Sequence, residues 1–248
     1  MSTRELPMID PAPDQTPSFA AGISLGRRAV AEFVGTAVLA AVVIGSGIAA
    51  EQLSPGDIGL QLLENSTASA FGLAVLILAF APISGAHFNP VVSLADWLGG
   101  RRRRSGLGTR ELGAYIGAQC GGAVFGALLA NAMFDRAAVQ IATHHRVTGG
   151  HLLGEILAAA GLIAVGFAAG RHGHRVAAVA VATYIGSAIW FTSSGSFANP
   201  ALTLGRMLSD SFTGIAPASV PAFVAAQIVG ALAGLSLMTL LYRPAAGR

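Results

Sequence analysis

Charged side chains are scarce in this chain, and lysine is missing altogether. Asp, Glu, Lys and Arg together make up 11% of the 248 residues, and all 15 basic residues are arginine. Ordinary soluble domains carry about a quarter charged residues. Here 53% of the residues are hydrophobic and the mean hydropathy is +0.64. This composition excludes an ordinary soluble domain and indicates an integral membrane protein.

The sequence indicates no internal disulfide, no metal site and no membrane barrel. Cys120 is its one cysteine, so we interpret it as a packing residue and expect no internal disulfide. No strand-like alternation of the kind found in membrane barrels occurs. The histidines of RHGHR (171–175) and HHRVTGGH (144–151) are predicted to lie on opposite faces of the membrane. We therefore expect no metal site and no cofactor.

Six apolar windows are long enough to cross a membrane as helices. A hydrocarbon core of ~30 Å requires roughly 20 apolar residues at ~1.5 Å per residue. The sequence therefore predicts an all-α integral membrane protein with six transmembrane helices. The windows are 29–50, 66–83, 112–134, 151–170, 176–193 and 219–242.

The arginines predict the orientation of these helices. Twelve of the 15 lie on the side of the chain termini, and only Arg136, Arg146 and Arg206 lie on the other. By the positive-inside rule, both termini are cytoplasmic, and the protein is a multi-pass protein of the cell membrane. The polar residues 1–26 are predicted to be a flexible tail rather than a signal peptide, and 243–248 a second tail.

The run RRRR (101–104) has two interpretations. Such a run can bind nucleic acid. Its predicted place beside the membrane favours a topology signal or contact with anionic lipid. We expect membrane lipid as a partner and no nucleic acid.

Two pairs of matching segments show that the chain consists of two similar halves. SGAHFNPVVSLADWL (84–98) corresponds to SGSFANPALTLGRML (194–208), and 114–133 corresponds to 222–241. Each half contains three predicted crossings, so the halves enter the membrane from opposite sides. Both halves also have GxxxG spacings, which favour close helix packing. The sequence predicts one channel domain, with its repeats at 27–134 and 151–242 within 27–242.

Each half contains an Asn-Pro step that begins a short helix. Asn is a favoured N-cap and Pro a favoured first helical residue. About ten residues follow each Asn, enough to cross half the membrane. We therefore predict two re-entrant half-helices that meet end to end, with positive N-termini that repel cations. Each Asn would cap with its oxygen and point its NH₂ into the gap. The two motifs are Asn89, Pro90 and Val91, and Asn199, Pro200 and Ala201.

These motifs together resemble the aquaporins and aquaglyceroporins of the major intrinsic protein family. The resemblance covers about 27–242 and depends on SGAHFNP, the second NPA, AEFVGT and the paired AQ..GA; the first motif has Val91 instead of Ala. It implies six helices plus two half-helices and a homotetramer with one pore per subunit. It also implies that Glu32 and Glu155 hold the re-entrant loops. From the residues alone, these carboxylates could instead lie near the lipid headgroups.

The predicted selectivity filter departs from the family pattern. The residue after the second Asn-Pro-Ala is usually arginine, and here it is Leu202. Counting without gaps places Ser69, Ser187 and Ser196 beside it, while a two-residue gap would replace Ser69 by Phe71. Three hydroxyls and one leucine predict an opening wider than that of a water-selective member.

Two charged residues follow the half-helix starts at matching positions. Arg206 is predicted to face the outer vestibule and Asp96 the inner one. Alternatively, both lie at the level of the headgroups, or Asp96 pairs with the arginine run.

The sequence therefore predicts a passive channel for water and small uncharged polar solutes, such as glycerol, urea or arsenous acid and other neutral metalloid hydroxides. Protons and ions are expected to be excluded. A water-selective aquaporin is the main alternative. A secondary transporter also uses inverted repeats, but it would need charged coupling residues. An enzyme is disfavoured, because His87 and Ser84 belong to the loop motif.

Overall fold

The computed structural model describes residues 22–103 and 105–242. Residues 1–21 and 243–248 of the predicted tails and Arg104 of the arginine run lie outside the described residues. The described part is helical. Its helices are α1 (Leu25–Leu53), α2 (Ile58–Ser84), α3 (Pro90–Arg103), α4 (Thr109–Met133), α5 (Gly149–Gly170), α6 (His174–Phe191), α7 (Pro200–Arg206) and α8 (Val220–Leu241), with a 3₁₀ turn at Pro217–Ser219.

Six of these helices are long and apolar enough to cross a membrane, as the six windows predict. The window for α2 begins eight residues late. Asp57 caps this helix by accepting a hydrogen bond from the backbone N–H of Leu60, and the first turns contain polar residues. Asn65 and Ser69 are buried, because these polar side chains face the protein interior rather than lipid.

The two re-entrant helices differ in length more than the sequence predicts. α3 has 14 residues and α7 has 7, against about ten expected for each. α7 ends early because the chain after it folds back. Arg206 Nε donates to the carbonyl of Thr213 at 2.5 Å, and the carbonyl of Met207 accepts from the backbone N–H of Ala142.

The long helices pair in the pattern of the repeat, α1 with α4 and α5 with α8. Glycines make both contacts close. A Cβ atom on Gly126 would lie 2.1 Å from the carbonyl oxygen of Ala37, and one on Gly234 would lie 2.3 Å from that of Ala160. Small residues allow membrane helices to approach to this extent. The two helix pairs therefore depend on equivalent glycines.

The chain has two faces, which we name for orientation. The terminal face contains the start of α1, the end of α8 and the α3–α4 and α5–α6 connections. The far face contains the α1–α2, α4–α5 and α7–α8 connections. α2 runs from the far face inward, whereas α7 runs from the centre toward the far face.

We predict that Gly126→Ala lowers the free energy of unfolding by about 1–3 kcal/mol, because the new methyl group overpacks α1 against α4. Thermal unfolding in detergent measures the effect. Gly113→Ala in the same helix is the control, since no atom lies within 4 Å of its Cβ position and alanine normally stabilises a helix by ~0.5–1 kcal/mol. Equal midpoints for the two variants would contradict the packing role of Gly126.

Candidate functional site

The two segments that precede the half-helices have an unusual backbone. Ala86 and Phe88 have φ of 52° and 50°, and Ser196 and Ala198 have φ of 47° and 46°. Residues with side chains rarely adopt this left-handed region, which costs about 1–2 kcal/mol each. Left-handed residues occur at every second position of these segments, which turns neighbouring peptide groups in different directions. Such a backbone persists only where surrounding contacts hold it.

Glu32 of α1 supplies those contacts in the first half. One carboxylate oxygen accepts from the backbone N–H of His87 at 2.9 Å, and the other accepts from Phe88 at 2.7 Å. Ser84 Oγ and Gln119 Nε2 also donate to this carboxylate, at 2.6 and 2.8 Å. Glu32 is fully buried, and it lies within the bundle rather than at its surface.

Glu155 of α5 occupies the equivalent place in the second half. It accepts from the backbone N–H groups of Phe197 and Ala198 at 2.9 and 2.8 Å. Gln227 Nε2 donates to it at 2.7 Å. Glu155 is also fully buried. Each carboxylate therefore orders the strained segment of its own half.

The two half-helices meet through their asparagines. Asn89 Oδ1 accepts from the backbone N–H of Val91, and Asn199 Oδ1 accepts from that of Ala201, both at 3.0 Å. Asn89 Nδ2 donates to the carbonyl of Ala198 at 2.8 Å, and Asn199 Nδ2 donates to that of Phe88 at 2.8 Å. Each amide therefore caps its own helix and binds the other half.

This crossing modifies the predicted role of the NH₂ groups. The sequence predicts that the NH₂ group of each asparagine points into the gap. One hydrogen of Asn89 and one of Asn199 instead join the halves, which leaves one on each amide for a passing oxygen atom. Both asparagines line the main cavity, at the positive ends of α3 and α7.

The main cavity has a volume of about 1790 Å³ and extends from the terminal face past both asparagines. Five predicted site residues besides the asparagines line it, namely Ser69, Asp96, Ser196, Leu202 and Arg206. Ser69 and Leu202 are buried at its wall, and Ser196 lies on the re-entrant segment. Asp96 lies at the terminal end, where its Oδ2 accepts from the backbone N–H of Leu107 at 2.8 Å.

The described part of the chain contains no group of three or more His, Cys, Asp or Glu side chains able to hold a metal ion. Asp96 makes no ion pair within the described residues. Asp96 instead closes the connection from α3 to α4, since its carboxylate binds the backbone of Leu107.

The prediction for Ser187 is wrong. Its side chain is exposed and donates to the carbonyl of Thr183 one turn earlier, at 2.9 Å. Ile185 and Ile189 of α6 line the cavity instead. Counting without gaps fails here because it assumes a fixed length for the α6–α7 connection. On α2, Phe71 is 70% exposed whereas Ser69 is 3% exposed, so the count without a gap is the one that reaches the cavity.

Arg206 is buried within the protein. It is only 8% exposed, and its guanidinium carbon lies 3.3 Å from the ring centroid of Phe197. Arg146 lies over the same ring at 5.4 Å and binds the carbonyls of Gly214 and Phe212. Burial lowers the pKa of Arg146, while the carboxylate of Glu155 acts in the opposite direction.

A second cavity of about 380 Å³ opens on the far face. It shares four lining residues with the main cavity, and we call them the neck. Three of them were not predicted as site residues. Asn65 lies one helical turn before the predicted site residue Ser69 on α2. This spacing is the sequence signal that could have identified it. The neck consists of Asn65, Ile189, Gly195 and Arg206.

Comparisons with known proteins agree with this geometry. Residues 20–193 match the major intrinsic protein family. Aquaglyceroporin AqpS of Rhizobium meliloti is 43% identical over 221 residues, which cover 89% of this chain and 92% of that protein. Aquaporin AqpM of Methanothermobacter marburgensis is 32% identical and covers 89% and 98%. The X-ray structure of the aquaglyceroporin from Plasmodium falciparum has a TM-score of 0.60 at 21% identity, with 88% and 96% covered; it resembles this chain in fold.

We predict that Glu155→Gln lowers the free energy of unfolding by about 2–4 kcal/mol. An amide offers one acceptor oxygen and turns its NH₂ toward a backbone donor, so a buried N–H loses its partner. The thermal unfolding midpoint in detergent is the measurement. Glu51→Gln is the control, because Glu51 makes a partly exposed ion pair with Arg136, worth at most about 1 kcal/mol. A larger loss in the Glu51 variant would contradict the role of Glu155.

Proposed function

This chain belongs to the major intrinsic protein family, and on that basis we propose that it is a passive membrane channel for water and small uncharged polar solutes such as glycerol and urea. The observation that carries the proposal is the single cavity that passes both Asn89 and Asn199. Donors and positive helix ends at such a point interrupt a chain of hydrogen-bonded water and repel cations. The channel therefore excludes protons and ions.

The wall between the asparagines and the neck supports solutes larger than water. Ser69, Ser196 and Leu202 line this part of the cavity, which we call the chamber. The serine side chains are small and uncharged, and leucine contributes an apolar surface of the kind that the carbon backbone of a polyol contacts. Neutral metalloid hydroxides, such as arsenous acid, have the same uncharged hydroxyl chemistry and belong to the proposed solutes. The similar protein AqpS is named an aquaglyceroporin.

The buried carboxylates argue against a secondary transporter. Coupled transport by an inverted repeat uses ion sites near the membrane centre. Glu32 and Glu155 are fully buried, but backbone and glutamine N–H groups already occupy their oxygens. These contacts leave the carboxylates engaged in the scaffold. A water-selective pore remains the alternative that flux measurements distinguish.

The proposed channel domain spans 27–242, with repeats at 27–134 and 151–242. We propose a homotetramer with one pore per subunit in the cell membrane, surrounded by lipid, with both termini cytoplasmic. The distribution of arginines supports this orientation. Large apolar side chains on the outside of the bundle, such as Phe71 at 70% and Phe125 at 51% exposure, suit lipid or a neighbouring subunit.

Purified protein in proteoliposomes tests the function by stopped-flow swelling. We expect water, glycerol, urea and arsenous acid gradients each to relax faster than in empty liposomes, without saturation and without dissipation of a pH gradient. Fast water flux with no solute flux would establish the water-selective alternative. Uptake that saturates and depends on an ion gradient would establish a transporter.

The chamber is tested by Leu202→Arg. A guanidinium beside Ser69 and Ser196 narrows this part of the cavity, so we expect glycerol flux to fall roughly tenfold or more while water flux falls less. Leu202→Met is the matched control, since it conserves volume and adds no charge. Unchanged glycerol-to-water selectivity in the arginine variant would show that Leu202 does not line the path.

A further inference from the structure

We propose that the selectivity barrier of this channel lies at the neck, one helical turn farther toward the far face than the chamber, and that Arg206 is its charged specificity-determining residue. This inference rests on the proposed channel function and specifies where solutes are sorted. The chamber beneath would then be a passage and not the narrowest point. The solutes favoured are uncharged molecules that can both donate and accept hydrogen bonds.

The position of the neck follows from the two cavities. Asn65, Ile189, Gly195 and Arg206 are the described residues that border both, so the two cavities approach each other at the level of these four. Leu202 borders the main cavity alone. The boundary between the two spaces is therefore not at the Leu202 level.

The shift is the same on the two helices that supply polar side chains. Asn65 precedes Ser69 by four residues on α2, which runs inward from the far face. Arg206 follows Leu202 by four residues on α7, which runs outward. At ~1.5 Å per residue, each lies about 6 Å farther out. Asn65 and Arg206 are therefore displaced in the same direction and by the same distance from Ser69 and Leu202, so they lie at one level of the path.

Arg206 is held in a fixed position and keeps donors available. Its Nε binds the carbonyl of Thr213, and its guanidinium stacks on Phe197. Its two terminal nitrogens have no hydrogen bond to a described residue, and neither is among the buried atoms that lack a partner. Of the five N–H donors of a guanidinium, the one on Nε is the one that has a hydrogen bond to a described residue. An arginine fixed by its own scaffold can thus supply the charge that Leu202 does not.

Asn65 contributes the complementary acceptor. Its Nδ2 donates to the carbonyl of Val43 and to Ser46 Oγ, both at 2.8 Å, which leaves Oδ1 without a donor among the described residues. A hydroxyl or amide solute can use this oxygen together with the Arg206 donors. A cation meets the guanidinium charge at the same level and is repelled. Ile189 adds an apolar side to the neck.

Two orphaned hydroxyls lie just beneath the neck. Ser69 Oγ and Ser196 Oγ are buried and have no hydrogen-bond partner within the described residues. Buried polar groups without partners are costly unless water or a ligand satisfies them. Both residues line the main cavity and neither is charged, which fits a charged sorting step above and an uncharged passage below.

Truncation of the neck is the first test, in proteoliposomes of the full chain. Arg206→Ala is expected to raise the permeability of a larger polyol, such as ribitol, relative to water by roughly tenfold, because it removes both bulk and charge. Arg136→Ala, on the far face but outside both cavities, is the control and should leave this ratio unchanged. An unchanged ratio in Arg206→Ala with a raised ratio in Leu202→Ala would place the barrier in the chamber and overturn the proposal.

A cysteine scan is the second test and does not depend on losing Arg206. In a chain with Cys120→Ala, Ile189→Cys is expected to lose more than half of its water flux after treatment with a charged methanethiosulfonate reagent. Ser187→Cys, two residues away on the same helix, should lose none. The reverse pattern would overturn the neck. A wild-type chain that passes water but no solute contradicts the proposed solute range, whereas the loss of water flux in Ile189→Cys tests the neck independently of that range.

Discussion

Two buried carboxylates hold the structure of this channel together. Each of Glu32 and Glu155 binds two successive backbone N–H groups of a segment whose alternate residues are left-handed. Without that pairing, the segments would carry backbone strain and unsatisfied donors inside a membrane bundle, where both are costly. The carboxylates thus fix where each asparagine stands. The asparagines in turn fix how the two halves meet, since each amide bonds to a carbonyl of the opposite segment.

Close packing supplies the frame in which those carboxylates are buried. α1 carries Glu32 and packs on α4 through Gly126, and α5 carries Glu155 and packs on α8 through Gly234. Gln119 of α4 and Gln227 of α8 each donate a further hydrogen bond to the carboxylate of their own half. Each helix pair therefore holds the carboxylate and the glutamine that support the re-entrant segment of its half, and the repeat forms this arrangement twice. The function follows from this duplication, because two half-helices are needed to span the bilayer from both sides.

The sequence predicted the parts that depend on residue type and failed where loop length mattered. Six helices, two half-helices and the paired asparagines follow from hydropathy and from Asn-Pro spacing. Ser187 was wrong because a count from Asn199 crosses a connection whose length is not fixed. Arg206 was predicted to face the outer vestibule, but nothing in a linear pattern shows that Phe197 and the carbonyl of Thr213 converge on it. These contacts join segments that only the fold brings together.

Asp96 and Arg206 stand at equivalent positions of the two repeats, 110 residues apart, and carry opposite charges. Each closes the chain segment that follows its own half-helix. The twofold symmetry of the backbone is thus broken in charge at this pair of positions. Asp96 closes its segment by accepting from a backbone N–H, and Arg206 closes its own by donating to a backbone carbonyl. An inverted repeat can therefore keep the same loop closure in both halves while exchanging the sign of the charge that makes it.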